Sequence, residues 1–319
     1  MSGDRISIAL PSKGRLKEQC EGWLGDCGFG LEIAGGSRGY QAQLTGLDGV
    51  DAPLLSSSDI AAGLDSGDLH LGVVGEDLLR ERGEDLADRV LLLRPLGFGR
   101  ADLVVAAPQS WIDVQTMADV DQVAMAYLAR TGRRLRVATK YGVLTRAFFA
   151  RHGVADYRIV DSSGATEGAP AAGAAELIVD ITTTGATLAA NGLRPLADGL
   201  ILKSQAQLAA SLKAPWTRQG LDLARRFLRI VEARARARQL AILTWPSDQD
   251  AAAEAATAGA VARGASRRQN GVLVGAPELF GVAESLASSG VGPVSVSRPD
   301  YVFHADCPMI DQLQVSLSL

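Results

Sequence analysis

The sequence predicts an α/β fold over its first two thirds and a small α+β module at its C-terminal end. Strand-like apolar segments alternate with segments whose apolar residues recur at helical spacing, which is typical of sheets flanked by helices. Polar or glycine-rich turns follow several strand ends, where ligands of α/β sheets bind. After residue 238 the order changes to strand, helix, strand, helix, strand, with room for one more strand. At 319 residues the chain is long for one domain, so we expect two or three compact units.

The first part of the chain supplies the elements of the expected sheets. Strands are read from short aliphatic runs, and helices from apolar residues three to four positions apart. In order we predict a strand at 5–10, a helix at 16–27, a strand at 71–74, a helix from 75, strands at 103–107 and 135–138, a helix at 141–152, a strand at 157–160, a short helix at 169–173 and a strand at 177–179. Four turns, after Leu10, Val74, Ala138 and Asp180, are therefore candidate functional turns.

The last third begins with a basic segment at 220–238. Its Arg and Leu residues recur at helical spacing and predict one long amphipathic helix. Beyond it we predict a strand at 240–244, a helix at 248–261, a strand at 271–275, a helix at 277–289 and a strand starting at 294–296. This order favours a ferredoxin-like module.

Composition and charge exclude several classes of protein. Hydrophobic residues make up 47% and charged residues 21%, which is ordinary for a globular protein. The formal net charge of −4 argues against a nucleic-acid partner, and no apolar stretch reaches the roughly 20 residues of a membrane helix. The three cysteines have no metal-site or redox spacing, and the N-terminal residues do not form a signal peptide. We therefore expect a cytoplasmic protein that binds neither nucleic acid nor a membrane.

The segment at 176–193 carries the strongest functional signal. A buried strand ends near Asp180, a hydroxyl-rich turn follows, and a helix begins after it; the turn residues are Thr182, Thr183, Thr184, Gly185, Ala186 and Thr187. A helix N-terminus offers unsatisfied N–H groups to a phosphate, and a carboxylate accepts hydrogen bonds from the two hydroxyls of a ribose. The segment indicates a ribose 5-phosphate site. A capped helix without a ligand is an equally good interpretation of the same residues, because Ser, Thr and Asp are also ordinary N-caps.

Cationic side chains lie at other strand ends. Lys13 and Arg15 flank Gly14 after the first strand, Arg100 precedes a strand, and Lys140-Tyr141 follows one. Taken singly, each charge fits a solvated surface position, but their common placement favours a polyphosphate site. Three acids stay open in the same way. Glu76 and Asp77 either cap a helix or touch a ligand, and Glu167 is either a first-turn acid or a carboxylate of the site.

Other chemistries find no support in the sequence. The three histidines are scattered, so neither a zinc site nor a histidine-based triad is indicated. The P-loop and dinucleotide patterns do not occur. Phosphate and ribose binding through open turns remains, with any Mg²⁺ held mostly by substrate oxygens rather than by a protein cage.

Seven segments together resemble the long form of the ATP phosphoribosyltransferase family, the first enzyme of histidine biosynthesis. They occur in family order from residue 8 to residue 193, and the last one is the most specific. The segments are 8–16 (IALPSKGRL), 59–60 (DI), 71–79 (LGVVGEDLL), 96–100 (LGFGR), 136–141 (RVATKY), 164–170 (GATEGAP) and 179–193 (VDITTTGATLAANGL).

The resemblance implies a reaction, a fold and site residues. The family joins N1 of the ATP adenine to C1 of 5-phosphoribosyl 1-pyrophosphate, releases pyrophosphate and requires Mg²⁺. Its fold has two lobes of the type II periplasmic-binding-protein kind, here expected at 1–104 with 194–238 and at 105–193. By resemblance, Asp180 and residues 182–187 bind phosphoribosyl pyrophosphate, and Arg15, Lys140 and Glu167 are catalytic candidates. The candidates for ATP and pyrophosphate are Lys13, Gly14, Arg15, Glu76, Arg100 and Tyr141.

The resemblance also covers regulation and assembly. It implies that residues 239–319 form an ACT-like regulatory domain that binds histidine as an inhibitor, and that the chain forms a homo-oligomer, a dimer or a hexamer. Two positions depart from the family pattern. Ala165 stands where Ser is frequent, and Ala101-Asp102 stands where Cys-Arg is frequent, which puts an acid near the expected anion site. The competing hypothesis is a non-catalytic two-lobe protein that binds or senses a small anion.

Overall fold

The computed structural model describes residues 5–33, 41–162 and 164–318. The parts of the predicted first lobe at 1–4 and 34–40 lie outside the described residues. The chain divides into two compact units, the first made of Met1–Gly25, Phe29–Gly220 and Val315–Leu319, and the second of Asp26–Gly28 and Leu221–Gln314.

Strands and helices alternate along most of the described chain. The strands are β1 (Ile6–Pro11), β2 (Gly30–Ile33), β3 (Gln41–Thr45), β4 (Val50–Leu55), β5 (Leu71–Gly75), β6 (Val90–Pro95), β7 (Ala101–Pro108), β8 (Leu135–Thr139), β9 (Tyr157–Asp161), β10 (Leu177–Thr182), β11 (Leu193–Ser204), β12 (Ala206–Ser211), β13 (Leu240–Thr244), β14 (Ser266–Arg268), β15 (Gly271–Gly275) and β16 (Ser295–Ser297). The helices are α1 (Gly14–Asp26), α2 (Ser57–Ser66), α3 (Glu76–Arg80), α4 (Met117–Thr131), α5 (Gly142–Arg151), α6 (Ala186–Ala190), α7 (Arg218–Ala237), α8 (Asp250–Ala262), α9 (Leu279–Ser288) and α10 (Pro308–Ser316).

The first lobe of the first unit is built on a sheet of order β2-β3-β4-β1-β5-β12-β6. β1 runs parallel to β4 and β5, whereas β12 runs antiparallel to β5 and β6. The core of this lobe packs α2 on the sheet through Ile60 and Leu64, both without exposed surface. Parallel strands deliver the starts of the following helices to one edge, so α1 and α3 begin at the carboxyl edge of this sheet.

The second lobe is built on a sheet of order β11-β7-β10-β8-β9. β8, β9 and β10 are parallel, and β7 is antiparallel to both β10 and β11. Helix α4 begins with a capping box between Thr116 and Asp119. α4 and α5 supply Val120 and Phe149 to the core on one face of this sheet.

Two short crossings connect the lobes, one between β6 and β7 and the other between β11 and β12. They are joined by backbone hydrogen bonds, since Leu96 N donates to Ala206 O (2.9 Å) and Ala206 N donates to Phe98 O (3.0 Å). Each lobe therefore has parallel strands and an antiparallel strand next to a crossing, and the first lobe has a second antiparallel strand, β3. This arrangement confirms the expected two-lobe fold of the type II periplasmic-binding-protein kind.

The second unit has the predicted ferredoxin-like topology. Its sheet order is β14-β15-β13-β16, with all neighbours antiparallel, and α8 and α9 complete the β-α-β-β-α-β order. The core of the unit includes Leu243, Val274 and Leu286. Among the helices of the described chain, none combines the length and apolar character needed to cross a membrane.

Each predicted element is observed within a few residues, with one exception, whereas β2, β3, β4, α2, β6, α4, β11 and β12 were not predicted. The helix predicted at 169–173 is wrong, because a 3₁₀ turn at Thr166–Gly168 is followed by irregular turns. The alanines favour a helix there, but Pro170 has no N–H to donate and Gly173 takes φ +67°. The residue bounds of the two lobes and of the C-terminal region stay predictions.

Candidate active site

Strand β10 places the acid of the predicted ribose site. Leu177, Ile178 and Val179 have no exposed surface and fix the strand between β7 and β8. Asp180 follows at partial exposure, in register with Val104 of β7. The N–H of Ile181 donates to Asp180 Oδ1 at 2.8 Å. The other carboxylate oxygen remains for a ligand to approach.

Hydrogen bonds between backbone N–H groups and threonine side chains fix the turn after β10. Thr182 Oγ1 accepts from the N–H of Gly185 at 2.9 Å, and Thr184 Oγ1 accepts from the N–H of Ala186 at 3.4 Å. Gly185 takes φ +76°, a conformation that glycine adopts without strain, and no atom lies within 4 Å of the place a Cβ would take. Side chains of the turn thus fix its shape, with open space in front of its glycine.

A cavity of about 310 Å³ lies in front of this turn. Asp180, Glu167 and most of the turn residues predicted from the sequence lie together around this cavity. The residues that line the cavity are Ala101, Glu167, Asp180, Ile181, Thr182, Thr183, Thr184, Ala186, Thr187 and Leu188. Glu167 arrives from the 3₁₀ turn that follows Ala165, whose φ is +49°. A carboxylate from each of two segments therefore faces a cavity rich in hydroxyl groups.

The electrostatics of Asp180 identify its charged neighbours. Burial raises the pKa of its carboxyl above the ordinary value, and Glu167 and Asp77 act in the same direction. Lys140 opposes them and favours the ionised carboxylate. The ammonium of Lys140 stands 5.0 Å from the centre of the Tyr141 ring, a cation–π contact. Lys140 is thus the cation that the fold places toward the ribose site.

A second cavity of about 440 Å³ shares Ala101, Thr182 and Thr183 with the first. Its remaining lining residues are Arg100, Asp102, Lys203, Ser204 and Gln205. Asp102 pairs in register with Thr182 on one side and with Lys203 on the other, so the three side chains share one face of the sheet. Two cations and several hydroxyl groups therefore adjoin the ribose cavity, with Asp102 between them.

Lys203 and Gln205 were missed in the sequence analysis. Both flank Ser204 at the end of β11, a strand for which the sequence analysis made no assignment. The apolar residues in the run 193–204 could have revealed this strand. A strand there ends at the same sheet edge as Thr182, which would have placed Lys203 and Gln205 near the turn. Lys203 is exposed, like Arg100.

Lys13 directly precedes α1, and Gly14 and Arg15 begin it, with Gly14 at φ +73°. The side chains of Lys13 and Arg15 are exposed, and neither residue is among those that line the two cavities described above. The start of α1 nevertheless approaches the segment before Arg100. A Cβ on Gly99 would lie 2.8 Å from Cδ1 of Leu16, so no larger residue fits this contact.

Two residues predicted to touch ATP or pyrophosphate already have protein partners. Glu76 accepts from Arg80 Nε (2.6 Å) and from Gln207 Nε2 (2.8 Å). Tyr141 has no exposed surface, and its hydroxyl donates to Asp77 Oδ2 at 2.6 Å. Contacts of Glu76 and Tyr141 with a ligand stay predictions. In the structure, each side chain forms hydrogen bonds with other protein residues.

Comparison with known proteins decides the family. A family model described as ATP phosphoribosyltransferase matches residues 56–231, more than half of the chain. The chain belongs to the ATP phosphoribosyltransferase family. A relative named ATP phosphoribosyltransferase from Caulobacter vibrioides is 68% identical over 310 residues, covering 97% of each chain. A second, from Rhodopseudomonas palustris, is 49% identical over 317 residues and covers 97% of this chain and 98% of the relative.

A solved structure supports the fold independently. A chain of the ATP phosphoribosyl transferase (HisG:HisZ) complex from Thermotoga maritima aligns with a TM-score of 0.52 at 23% identity, over 71% of this chain and 96% of that one. At this identity the likeness shows the fold alone. Family membership makes the chain an enzyme, a pentosyltransferase of histidine biosynthesis, and confirms the resemblance noted in the sequence. The alternative of a non-catalytic sensing protein is not retained.

Proposed function

We propose that the chain joins N1 of the adenine of ATP to C1 of 5-phosphoribosyl 1-pyrophosphate, giving N1-(5-phosphoribosyl)-ATP and pyrophosphate. The observation that carries this proposal is the cavity that unites Asp180, Glu167 and the hydroxyl-rich turn. A ribose 5-phosphate needs an acceptor for two vicinal hydroxyls beside donors for a phosphate, and this cavity supplies both.

The ribose phosphate part of the substrate has a defined place in this proposal. The 5-phosphate accepts hydrogen bonds from the threonine hydroxyls of the turn and from the backbone N–H groups of Thr183, Thr184 and Thr187, since those of Gly185 and Ala186 donate within the turn. Asp180 accepts from the ribose hydroxyls, helped by Lys140, which favours its ionised state. Gly185 leaves the space through which the phosphate approaches the backbone.

The polyphosphate groups belong to the neighbouring cavity. Arg100 and Lys203 line it from the two lobe crossings and attract the pyrophosphate of the substrate. Lys13 and Arg15, at the start of α1, are the proposed contacts of the ATP phosphates. We also assign Lys140 and Arg15 to the stabilisation of the leaving pyrophosphate, since charge builds on its oxygens as the C1–O bond breaks.

The chemical step requires positioning more than acid–base catalysis. The bond from C1 to pyrophosphate oxygen breaks, the bond from C1 to adenine N1 forms, and positive charge develops on the ribose in between. Holding N1 in line with the leaving group is therefore the main task of the site. Substitution at N1 makes the exocyclic amine more acidic, and Glu167 is our candidate acceptor for the proton it releases.

Mg²⁺ fits the donor set as a substrate-held ion. Among residues 5–33, 41–162 and 164–318, no group of three metal-ligating side chains occurs, and the carboxylates that line the two cavities are Asp102, Glu167 and Asp180. Mg²⁺ retains several waters and commonly binds through substrate phosphates with one or two carboxylates. When bound, it would neutralise pyrophosphate charge.

The direct test is turnover. The purified chain is incubated with ATP, phosphoribosyl pyrophosphate, Mg²⁺ and a pyrophosphatase, and the ultraviolet absorbance of phosphoribosyl-ATP is followed. We expect product only when both substrates are present. A folded protein that yields no product beside an active reference enzyme would contradict the proposal.

Regulation and assembly extend the proposal. The ferredoxin-like topology of the second unit supports a regulatory domain, and we propose that histidine binds it and inhibits the enzyme in a cytoplasmic homo-oligomer, dimer or hexamer. Calorimetry of the full chain with histidine, with glutamine as the control amino acid, tests binding. Activity measured over the same concentrations tests inhibition, and light scattering gives the oligomeric state.

A further inference from the structure

Asp77 is a buried carboxylate at the junction of the two lobes. Only 6% of its surface is exposed. The hydroxyl of Tyr141 donates to Oδ2 at 2.6 Å, and the hydroxyl of Ser204 donates to Oδ1 at 2.7 Å. Ser204 also accepts from the N–H of Asp77 at 3.1 Å. Both carboxylate oxygens are therefore held by hydroxyl groups, and we refer to Asp77, Tyr141 and Ser204 as the anchor.

The anchor links three segments that are far apart in sequence. Asp77 lies in α3 of the first lobe, whereas Tyr141 follows β8 and Ser204 ends β11 in the second lobe. Glu81, four residues after Asp77, strengthens the same link. Its carboxylate accepts from the N–H of Val143 at 2.8 Å and of Leu144 at 3.0 Å, which satisfies the first turn of α5.

Local sequence makes room for the anchor. A methyl group on Gly75 would collide with Oδ1 of Asp77, so glycine is required there if the carboxylate is to stay where it is. Tyr141 has no exposed surface, and the N–H of Tyr141 donates to Thr139 Oγ1 at 2.9 Å. The tyrosine is thus held at its backbone, its ring and its hydroxyl.

Each anchor residue of the second lobe is next to a proposed ligand residue. Tyr141 follows Lys140, whose ammonium lies 5.0 Å from the Tyr141 ring centre. Ser204 follows Lys203, which lines the polyphosphate cavity. A shift of either anchor side chain would move the neighbouring cation.

We propose that the anchor is a positioning device for the reaction, in which Asp77 fixes Tyr141, and Tyr141 fixes Lys140 beside Asp180. This inference rests on the proposed function of the site. Asp77 and Tyr141 are buried and act through Lys140, whereas Ser204 holds Asp77 and also lines the proposed polyphosphate cavity. The hydrogen bonds that shape the phosphate turn and orient Asp180 do not involve Tyr141, so loss of its hydroxyl should affect the chemical step more than the binding of phosphoribosyl pyrophosphate.

The decisive variant is Tyr141→Phe, which keeps the ring below Lys140 and removes only the hydrogen bond to Asp77. We expect kcat to fall about tenfold while the Kd of phosphoribosyl pyrophosphate, measured by calorimetry, changes less than about twofold. The matched control is Tyr127→Phe in the same lobe, where the hydroxyl donates to Glu176 at 3.2 Å. This control should keep wild-type kcat.

A double-mutant cycle with Lys140→Met separates positioning from general loosening of the fold. If Tyr141 acts through Lys140, Tyr141→Phe should cause little further loss of kcat in the Lys140→Met background. The same tenfold loss in both backgrounds, or wild-type kcat for Tyr141→Phe, would overturn the anchor. If Tyr141→Phe does not fold, Asp77→Asn takes its place, because it weakens the same contact with the Tyr141 hydroxyl from the other side, with kcat/KM for each substrate measured in the same way.

The proposed function and the anchor fail in different ways. Wild-type protein without product formation would refute the function, whereas active wild-type protein with an unaffected Tyr141→Phe variant would refute the anchor alone.

Discussion

Asp102 of β7 stands directly opposite Lys203 of β11, with Thr182 of β10 in register on the other side. An acid thus lies between the cation and the hydroxyl that face the proposed polyphosphate cavity. The carboxylate lowers the positive field of the cavity while Lys203 raises it. Removal of the cation and removal of the acid should therefore change the affinity for pyrophosphate in opposite directions.

Lys203→Met should weaken the binding of pyrophosphate about tenfold, because a charge-assisted contact is lost. Asp102→Asn should strengthen the binding of pyrophosphate in Mg²⁺-free buffer by a few-fold, because a like charge is removed. Calorimetric titration with pyrophosphate, with and without Mg²⁺, measures both. If Lys203→Met and Asp102→Asn changed the affinity for pyrophosphate equally and in the same direction, pyrophosphate would not bind in this cavity.

Asp180 predicts a pH dependence of substrate capture. Burial raises the pKa of its carboxyl, and protonation removes the acceptor for the ribose hydroxyls. As the pH falls, kcat/KM for phosphoribosyl pyrophosphate should therefore begin to drop at a higher pH than the ordinary aspartate value of about 3.9 implies. Asp180→Asn should lower kcat/KM by about 10²-fold and remove this acidic limb. Asp51→Asn, in an exposed ion pair with Arg5, serves as the control and should retain the limb.

Gly75 and Gly22 predict opposite effects of the same substitution. Gly75→Ala should destabilise the fold by about 1–3 kcal/mol, because its methyl group displaces the hydrogen-bonded carboxylate of Asp77. Gly22→Ala should stabilise it by about 0.5–1 kcal/mol, because Gly22 lies inside α1 with no atom within 4 Å of the added carbon. Urea unfolding measures both free energies. Equal free energies of unfolding for the two variants would contradict this assignment.

His70 predicts that the first lobe loses stability in mild acid. Burial lowers the pKa of its imidazole, which packs against Trp216 at 4.9 Å and interacts with Ser7 through Nδ1. A lowered pKa means that the unfolded chain binds the proton more readily, so the unfolding free energy falls as pH drops below about 6.5. The stability difference between wild type and His70→Gln should shrink from pH 8 to pH 5. If the difference in unfolding free energy between wild type and His70→Gln stayed constant with pH, His70 would not be the origin of the loss of stability in acid.

Local sequence was sufficient to predict the phosphate turn, whereas the anchor could not be predicted. Asp180 and Thr182–Thr187 are adjacent in the chain, so strand, turn and helix start are encoded within about ten residues. Asp77, by contrast, finds its partners 64 and 127 residues away, at Tyr141 and Ser204. Only the packing of two lobes brings them together, and the sequence alone left capping and ligand binding as the uses of Glu76 and Asp77.

Lys203 shows a second reason why part of the site could not be predicted from the sequence. Its proximity to Thr182 depends on the register of three strands, and β11 contains register shifts between Pro195 and Leu202 that no local pattern reveals. The ferredoxin-like order was predictable because each of its strands and helices is encoded by its own periodicity.

The paired crossings between the lobes have a consequence for how substrates are captured. If the lobes open and close about the line between these two hydrogen-bonded segments, atoms close to that line move least. Arg100 and Lys203 adjoin the line, so we expect their separation to vary little with opening. An approaching polyphosphate would then meet both cations together at every stage of its entry, and its association rate should decline steeply as ionic strength rises.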